Sequence, residues 1–304
     1  MIVLGGGPIG CELGQALARL GVKIAIAQRT AELLPREDAD VAKFVRDRFA
    51  AEGIGVHLNS IGRRVSKRNG KIVLERDEAD PITAEAMLVA TGRTPNLRAL
   101  HLEAAGVDYN ERGVKVNDCL QTSQPHIYAA GDVTNALKFT HTADFTARIV
   151  VRNILMPFQF LRQKVDWSVV PWCTYIDPEV AHVGVGEKEA QQKNIGYDLF
   201  RVPLAEIDRA VVESEESGFA KILTAKGSDK ILAATIVAPH AGDLLHEFVL
   251  AMKAGIGLGT IASTIHAYPT FAELARKAGD KYNKTRLTPR AKRIFAWLYE
   301  RGRK

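Results

Sequence analysis

Three glycines near the start of the chain, Gly5, Gly7 and Gly10, have the spacing G-x-G-x-x-G of a dinucleotide-binding fingerprint. The first glycine permits a tight turn, the second lets a pyrophosphate approach the backbone, and the third lets a helix pack close to a strand. An apolar strand at residues 2–4 precedes the glycines, a helical pattern follows them, and a second strand is predicted at residues 22–27. This strand–turn–helix context favours nucleotide binding over a glycine-rich turn without a ligand, because the helix start faces the phosphates.

The end of the second predicted strand bears on the choice between NAD and NADP. In NAD-binding units, an acidic residue at this point binds the ribose hydroxyls. Here Gln28 removes a carboxylate that would repel a 2′-phosphate, and Arg29 offers a guanidinium that attracts one. We favour NADP(H) on this basis. The alternatives are that Gln28 binds a ribose hydroxyl of NAD and that Arg29 is a solvated surface residue.

Composition and charge exclude several classes of protein. Apolar residues make up 46% of the 304 residues, yet no apolar run reaches the ~18 residues that a membrane span needs. Residues 276–304 hold eleven Lys and Arg against two Asp and Glu, so the rest of the chain carries −3 of the net +6. We therefore expect no nucleic-acid partner for the body of the protein. The three scattered cysteines form neither a metal-binding nor a disulfide pattern, which favours a reducing, cytoplasmic setting.

A second polar landmark follows another apolar run. Residues 127–130 are predicted as a buried strand that ends in Gly131 and Asp132. A carboxylate at this junction can accept hydrogen bonds from a ligand hydroxyl, and the alternative is an ordinary Asx turn or helix cap. Before this landmark, the pattern predicts a helix over residues 38–52, a hairpin over 63–75 and a buried strand over 87–90.

The pattern changes from about residue 165 onwards. Strand-like segments recur and a long helix follows, an order that predicts an α+β domain with an antiparallel sheet and helices on one face. The predicted strands cover residues 180–183, 198–202, 220–224 and 231–237, and the predicted helix covers residues 243–254.

Five ordered motifs resemble those of the flavin-dependent pyridine nucleotide–disulfide oxidoreductases. They are GGGPIGCE at residues 5–12, ATGRTPN at 90–96, AGDV at 130–133, TYIDPEVA at 174–181 and YPTFAE at 268–273. The resemblance extends to about residue 288 and implies an α/β fold with four parts. These are a Rossmann-like NAD(P)-binding domain at 1–95, the C-terminal part of an FAD-binding domain at 96–162, an α+β dimerisation domain at 163–288 and a basic tail at 289–304.

The resemblance also implies roles for single residues. Asp132 binds the ribityl chain of FAD, the stretch around His141 lies near the flavin, and Gly92 lies near the NAD(P) site. Glu12 pairs with a lysine beside the flavin. The candidate cofactor-binding residues are Gly5, Gly7, Pro8, Ile9, Gly10, Glu12, Gln28, Arg29, Gly92, Gly131, Asp132 and His141, and no metal ligand is predicted.

The sequence departs from the family pattern in two places. The first FAD-binding unit and its C-x4-C redox pair would precede residue 1, so we expect this chain to be the C-terminal portion of a longer enzyme. Tyr268 stands where most disulfide reductases carry a His, while Glu273, which orients that His, is retained and His266 lies two residues earlier. In the family this loop reaches across the dimer to the partner's flavin. The mercuric reductases and the soluble transhydrogenases of the family carry tyrosine here. Pro8, residues 28–29 and residues 139–153 also resemble the mercuric-reductase branch, although the vicinal cysteine pair that closes those enzymes is absent from this chain.

These observations predict an FAD- and NAD(P)H-dependent oxidoreductase that acts as a homodimer. Hydride would pass from the nicotinamide to FAD and then to a disulfide or a metal ion, with Tyr268 and Glu273 as catalytic candidates. A dihydrolipoamide- or glutathione-type reductase is the alternative within this class, and a catalytically silent nucleotide-binding dimerisation module is the alternative outside it. We expect the fragment alone to be inactive.

The basic tail predicts a helix in which Ile294, Phe295, Trp297 and Leu298 lie among arginines and lysines. Packing of this helix on the body is the favoured interpretation. Contact with an anionic membrane surface is the alternative.

Overall fold

The structure is a computed structural model that describes residues 1–77, 79–134 and 137–302. The chain divides into two compact units, one made of residues 1–91 together with the chain from residue 171 onwards, and the other of residues 92–170. The predicted domain boundaries near residues 95, 162 and 288 stay predictions. Among the described residues, no helix is long and apolar enough to cross a membrane.

The first unit begins with the predicted strand–turn–helix order and a parallel sheet. From one edge to the other, its strands cover residues 55–57, 25–27, 2–4 and 87–89, and Val3 pairs with both neighbouring strands. Its edge strand leaves Val89 65% exposed, so the prediction that residues 87–90 form a buried strand was wrong. The elements are β1 (Ile2–Leu4), α1 (Pro8–Arg19), β2 (Ala25–Ala27), α2 (Ala39–Ala51), β3 (Gly55–His57) and β7 (Met87–Val89).

A three-stranded antiparallel sheet is inserted before β7. It consists of β4 (Gly62–Arg68), β5 (Lys71–Arg76) and β6 (Ala79–Ala84). Asn69 and Gly70 both have positive φ, at 49° and 79°, which is the geometry of a two-residue hairpin turn. The predicted hairpin is therefore confirmed.

The later part of the first unit is a five-stranded antiparallel sheet. Its antiparallel pairing and four of its strands were predicted, and the fifth strand, Pro171–Thr174, was not. The predicted helix over residues 243–254 is instead two helices, because the ring Nδ1 of His246 bonds the carbonyl of Gly242 at 2.8 Å where the helix would continue. The strands are β10 (Pro171–Thr174), β11 (Glu179–Gly184), β12 (Tyr197–Pro203), β13 (Phe219–Ala225) and β14 (Ile231–Ala238). The helices are α4 (Glu187–Gln192), α5 (Asp208–Val212), α6 (Ala241–Leu244), α7 (His246–Ala254), α8 (Leu258–Ser263), α9 (Glu273–Arg286) and α10 (Pro289–Arg301).

One hydrophobic core joins the two sheets of the first unit. Val3 and Ile26 of the parallel sheet belong to the same buried cluster as Val180 and Val237 of the antiparallel sheet. The ring of Phe44, on α2, also packs edge-on against the ring of Phe219, on β13, with 6.0 Å between the ring centroids. The nucleotide-type sheet is therefore stabilised by residues that lie far along the chain.

The second unit, residues 92–170, contains little regular structure besides one long helix. It includes β8 (Tyr109–Asn110), β9 (Gly113–Val114), a 3-10 turn (Gly131–Thr134) and α3 (Thr140–Leu155). The strand predicted over residues 127–130 is only an isolated bridge between Gln121 and Tyr128. Ile127 and Ala129 of this segment instead pack, in an extended loop, against the small core of Leu102, Val107 and Val114. An apolar run here is therefore explained by this core without a strand.

Candidate functional site

The three fingerprint glycines have different surroundings. Gly5 has φ of 110°, and a Cβ there would lie 2.5 Å from the carbonyl oxygen of Ala90. A Cβ on Gly10 would lie 1.9 Å from the carbonyl oxygen of Gly5, so helix and strand can pack only without that atom. Gly7, by contrast, is extended and an added Cβ would meet nothing within 4 Å. Packing thus requires two of the glycines, and the third leaves open space where a pyrophosphate can approach the backbone.

The start of α1 supplies hydrogen-bond donors to that space. Pro8 occupies the first helical position, and the first intrahelical bond runs from the N–H of Cys11 to the carbonyl of Gly7 at 3.0 Å. The N–H groups of Ile9 and Gly10 precede that bond and have no intrahelical acceptor. Because Pro8 and Ile9 are exposed, the positive end of this helix is accessible to a phosphate group.

Gln28 holds the glycine loop by a side-chain hydrogen bond. It is only 6% exposed, and its Oε1 accepts the N–H of Gly6 at 3.0 Å. Its Nε2 donates to Oγ1 of Thr30 at 2.6 Å, so both ends of the amide are engaged within the protein. Arg29, next to it, is exposed and makes no hydrogen bond or ion pair with the residues that the structure describes. Of the two side chains, that of Arg29 is the one exposed to solvent.

Glu12 connects α1 to the motif TYIDPEVA at residues 174–181. Its Oε1 accepts the backbone N–H of Tyr175 at 2.9 Å. One turn later, Gln15 exchanges two hydrogen bonds with the backbone of Asp177, at 2.7 and 2.9 Å. The sequence pattern gave no sign of this contact, which fixes residues 174–181 against the nucleotide-type helix.

The second unit holds the residues that resemble the family's flavin contacts. Gly131 has φ of 72°, its N–H donates to Oγ1 of Thr146 at 3.2 Å, and the 3-10 turn leaves Asp132 exposed. His141, in the first turn of α3, is exposed, and its ring stacks on Phe139 at 5.1 Å between centroids. An exposed carboxylate on a turn fixed by hydrogen bonds fits a polyhydroxyl chain such as the ribityl group of FAD.

Gly92 lies at the start of the second unit. It has φ of 143°, a backbone conformation that favours glycine, and an added Cβ would meet nothing within 4 Å. The backbone at this position is therefore open to the close approach of a ligand.

Tyr268 lies on an exposed loop and has a carboxylate partner that the sequence did not predict. Its side chain is 69% exposed, and its hydroxyl donates to Oδ2 of Asp208 at 2.7 Å. This hydrogen bond raises the pKa of Tyr268 above its ordinary value. The hydroxyl therefore stays protonated at neutral pH and acts as a hydrogen-bond donor. Asp208 lies 60 residues earlier in the chain, so no spacing pattern connects the two.

Within the single chain, Glu273 and His266 have separate partners. Glu273 is the first residue of α9, is 4% exposed, and accepts a hydrogen bond from Nη2 of Arg276 at 2.9 Å. Nε2 of His266 lies 3.0 Å from Oε1 of Glu247. Among the hydrogen bonds described, the structure does not join Glu273 to Tyr268 or to His266.

The fold and the glycine loop define a dinucleotide-binding α/β protein that carries an additional antiparallel domain. The chain belongs to the pyridine nucleotide-disulphide oxidoreductase family: residues 1–147 match that family, and residues 170–278 match its dimerisation domain. Members of the family are FAD-dependent oxidoreductases that use NAD(P)H. The predicted family, fold class and cofactor types are thereby confirmed.

The similar proteins include enzymes with different acceptors. The chain is 32% identical to dihydrolipoyl dehydrogenase of Geobacillus stearothermophilus over 284 residues, which cover 92% of this chain and 60% of that enzyme. It is 34% identical to mercuric reductase of Bacillus cereus over 278 residues, which cover 90% of this chain and 43% of that enzyme. The chain therefore spans about half the length of the curated relatives it matches.

A solved structure shows the same fold over most of the chain. It is a Cu(II) complex of the HOCl-induced flavoprotein disulfide reductase RclA from Escherichia coli, with a TM-score of 0.85 and 28% identity. The match covers 92% of this chain and 63% of that one.

Proposed function

We propose that this chain is the nucleotide-binding and dimer-forming portion of an FAD-dependent NAD(P)H oxidoreductase. The observation that carries the proposal is the open space at Gly7 in front of the exposed start of α1, in a chain of this family. The first-turn N–H groups bind the pyrophosphate, and Asp132 accepts hydrogen bonds from the flavin's ribityl hydroxyls. When bound, the flavin supplies the transfer of reducing equivalents from the nicotinamide to the acceptor.

We infer that NADP(H) is the preferred nicotinamide nucleotide. Gln28 directs its amide to the glycine loop and leaves no carboxylate to repel a 2′-phosphate, while Arg29 is exposed beside it. A reducing, cytoplasmic setting is part of the same proposal, since all three cysteines are unbridged.

We further propose a metal ion as the preferred terminal acceptor, with a disulfide as the second candidate. The hydroxyl of Tyr268, held protonated by Asp208, cannot exchange a proton near neutral pH as thiol chemistry would require. It can donate a hydrogen bond to an acceptor complex. The similarity to a mercuric reductase and to a reductase solved with Cu(II) supports the metal ion, and the similarity to dihydrolipoyl dehydrogenase supports the disulfide.

A homodimer would complete this site. The match to the dimerisation domain supports a homodimer, and the loop that carries Tyr268 also leaves Ile265 98% exposed. We propose that a second copy covers this loop and that Tyr268 acts at the partner subunit's flavin.

The experiment compares acceptors in the FAD-loaded whole protein that contains this chain. NADPH consumption should be faster with Hg(II) or Cu(II) than with oxidised glutathione or lipoamide. Tyr268→Phe should lower the metal-dependent rate by about tenfold to a hundredfold at unchanged NADPH affinity, because only a transition-state hydrogen bond is lost. Tyr197→Phe is the matched control, since this tyrosine also donates to a carboxylate, that of Glu187 at 3.0 Å.

Two results would contradict the proposal on the acceptor. One is brisk disulfide reduction by the wild type that Tyr268→Phe leaves unchanged. The other is a loss in Tyr197→Phe equal to the loss in Tyr268→Phe.

A further inference from the structure

The last helix of the chain, α10, is specified by its own local signals. Oγ1 of Thr288 caps the helix by accepting the N–H of Ala291 at 3.2 Å, and Pro289 occupies the first helical position. The thirteen residues Pro289–Arg301 span about 20 Å at the rise of an α-helix. None of these residues is buried. The prediction that this helix packs on the body was therefore wrong for the single chain.

Four apolar residues form a stripe along one side of α10. Ala291, Ile294, Phe295 and Leu298 follow the spacing i, i+3, i+4, i+7, which places them on one helix face. The side chains of Ile294, Phe295 and Leu298 are 49%, 59% and 51% exposed, respectively. A stripe of this kind in contact with water indicates that something apolar covers it in the working protein.

Cations border the apolar stripe on both sides. At the helical angle of 100° per residue, Lys292 lies on one side of the stripe and Arg290 and Arg301 on the other, whereas Arg293 lies towards the opposite face. The single acidic residue of α10, Glu300, lies opposite the stripe. The wider segment from residue 276 to the end carries a net charge of +9. The covering surface is therefore expected to carry negative charge next to an apolar layer.

Two aromatic residues of α10, Trp297 and Tyr299, lie next to the flanking cations. The guanidinium of Arg301 lies 4.2 Å from the ring centroid of Trp297, and Tyr299 lies beside Lys292 on the helical projection. Trp and Tyr side chains next to cations are typical of protein segments that lie among lipid headgroups, because an amphipathic ring there contacts both water and acyl chains.

We propose that α10 is a membrane-surface anchor that lies in the plane of an anionic bilayer. The stripe enters the boundary between headgroups and acyl chains, and the flanking cations contact lipid phosphates. A nucleic acid would satisfy the cations but leave the apolar stripe in water. The same helix on a second copy would satisfy the stripe but place two strongly cationic segments together. An anionic lipid surface complements both features at once, and this inference goes beyond the proposed redox function.

The test is flotation of the purified full chain with lipid vesicles. Vesicles of phosphatidylcholine mixed with phosphatidylglycerol should retain the protein, vesicles of phosphatidylcholine alone should not, and added salt should release it. Leu298→Glu, which places a carboxylate in the middle of the stripe, should abolish retention. Replacing both Arg290 and Arg301 by Glu should lower partitioning at least about thirtyfold, because each basic residue near such a surface contributes roughly fivefold.

A charge-matched control tests whether retention depends on the cations of α10 or only on the net charge of the protein. Replacing Lys67 and Lys71 of the β4–β5 hairpin by Glu changes the net charge by the same amount and should leave retention unchanged. Unaltered NADPH affinity in all variants shows that the fold is intact. Equal retention on both vesicle types, or on neither, would overturn the proposal. So would dissociation of a dimer by Leu298→Glu without any change in vesicle binding, since the stripe would then cover a second copy.

Discussion

Gln28 and Arg29 are neighbours in sequence, yet they face different surroundings. The amide of Gln28 both accepts from the N–H of Gly6 and donates to the hydroxyl of Thr30. A carboxylate at this position could accept but not donate, so glutamine is better suited to hold the loop. With Gln28 engaged within the protein, the proposed preference for NADPH rests on Arg29.

Replacing Arg29 by Ala should weaken NADPH binding more than NADH binding, by about 1–3 kcal/mol, the range for a charge-assisted hydrogen bond to a phosphate. Isothermal titration of both nucleotides into the chain measures this difference. Lys23→Ala is the control. It removes an exposed cation that precedes β2, whereas Arg29 follows this strand, and it should change neither the NADPH nor the NADH affinity. Equal losses for NADPH and NADH in Arg29→Ala would show that Arg29 does not contact the 2′-phosphate.

At the scale of elements, one buried lysine connects the nucleotide-type sheet to the antiparallel sheet. Nζ of Lys221, on β13, is completely buried and lies 2.7 Å from Asp38, 2.8 Å from Asp40 and 2.8 Å from Glu187. Oxygens of these three carboxylates lie within 4.8 Å of one another, a spacing that would otherwise suit a metal ion. The ammonium occupies the position that such a cation would take, so this cluster is an internal salt-bridge network.

The charges of this network stabilise one another. Burial alone would lower the pKa of Lys221, but its three carboxylate partners hold that pKa above the ordinary value. Burial likewise opposes charge on both aspartates. The backbone N–H of Lys188 and the Lys221 ammonium nevertheless hold the pKa of Asp38 below its ordinary range, and Lys221 with Arg201 does the same for Asp40. The aspartates thus contribute stability that is present above pH ~4 and lost as the pH falls. Lys221 contributes stability that is present below pH ~10 and lost as the pH rises through its folded pKa.

Lys221→Met should lower the free energy of unfolding by about 3–5 kcal/mol near neutral pH, because three carboxylates would lose their counter-charge. The loss should shrink below pH ~4, where protonated carboxylates no longer need the ammonium. Denaturant unfolding at several pH values measures both effects. Lys226→Met, which removes an exposed partner of Asp198, should cost no more than about 1 kcal/mol. A loss for Lys221→Met as small as that for Lys226→Met would refute the role of the network.

At the scale of the whole molecule, parts of the structure followed from local sequence patterns. The parallel strands around the glycine turn, the hairpin at Asn69-Gly70 and the antiparallel strands could be predicted because their signals lie within a few residues. The partners of Tyr268 and Lys221 could not, since Asp208 is 60 residues away from the first and Asp40 is 181 residues away from the second. Such contacts depend on how distant elements pack.

Because residues 1–91 share a core with the chain after residue 171, the dimer is better tested by a point substitution than by truncation. Ile265→Asp should weaken the dimer by about 2 kcal/mol or more, the cost of losing an apolar anchor in an interface. Sedimentation equilibrium of the chain measures the dimer affinity. Leu20→Asp alters an equally apolar residue that is 80% exposed just after α1 and should leave the dimer intact. An unchanged dimer in Ile265→Asp would place the interface elsewhere.

Whether the glycine loop binds the pyrophosphate of a nicotinamide nucleotide is tested by calorimetric titration of NADPH into wild-type and Gly7→Val protein. A Cβ at Gly7 meets nothing within 4 Å, so the melting temperature should be unchanged while NADPH binding is lost. Gly10→Ala, by contrast, would collide with the carbonyl of Gly5 and should lower the melting temperature. Heat of binding is expected for the wild type and none for folded Gly7→Val. A folded wild type that does not bind NADPH, or a Gly7→Val variant that binds it equally tightly, would show that the glycine loop does not bind the pyrophosphate.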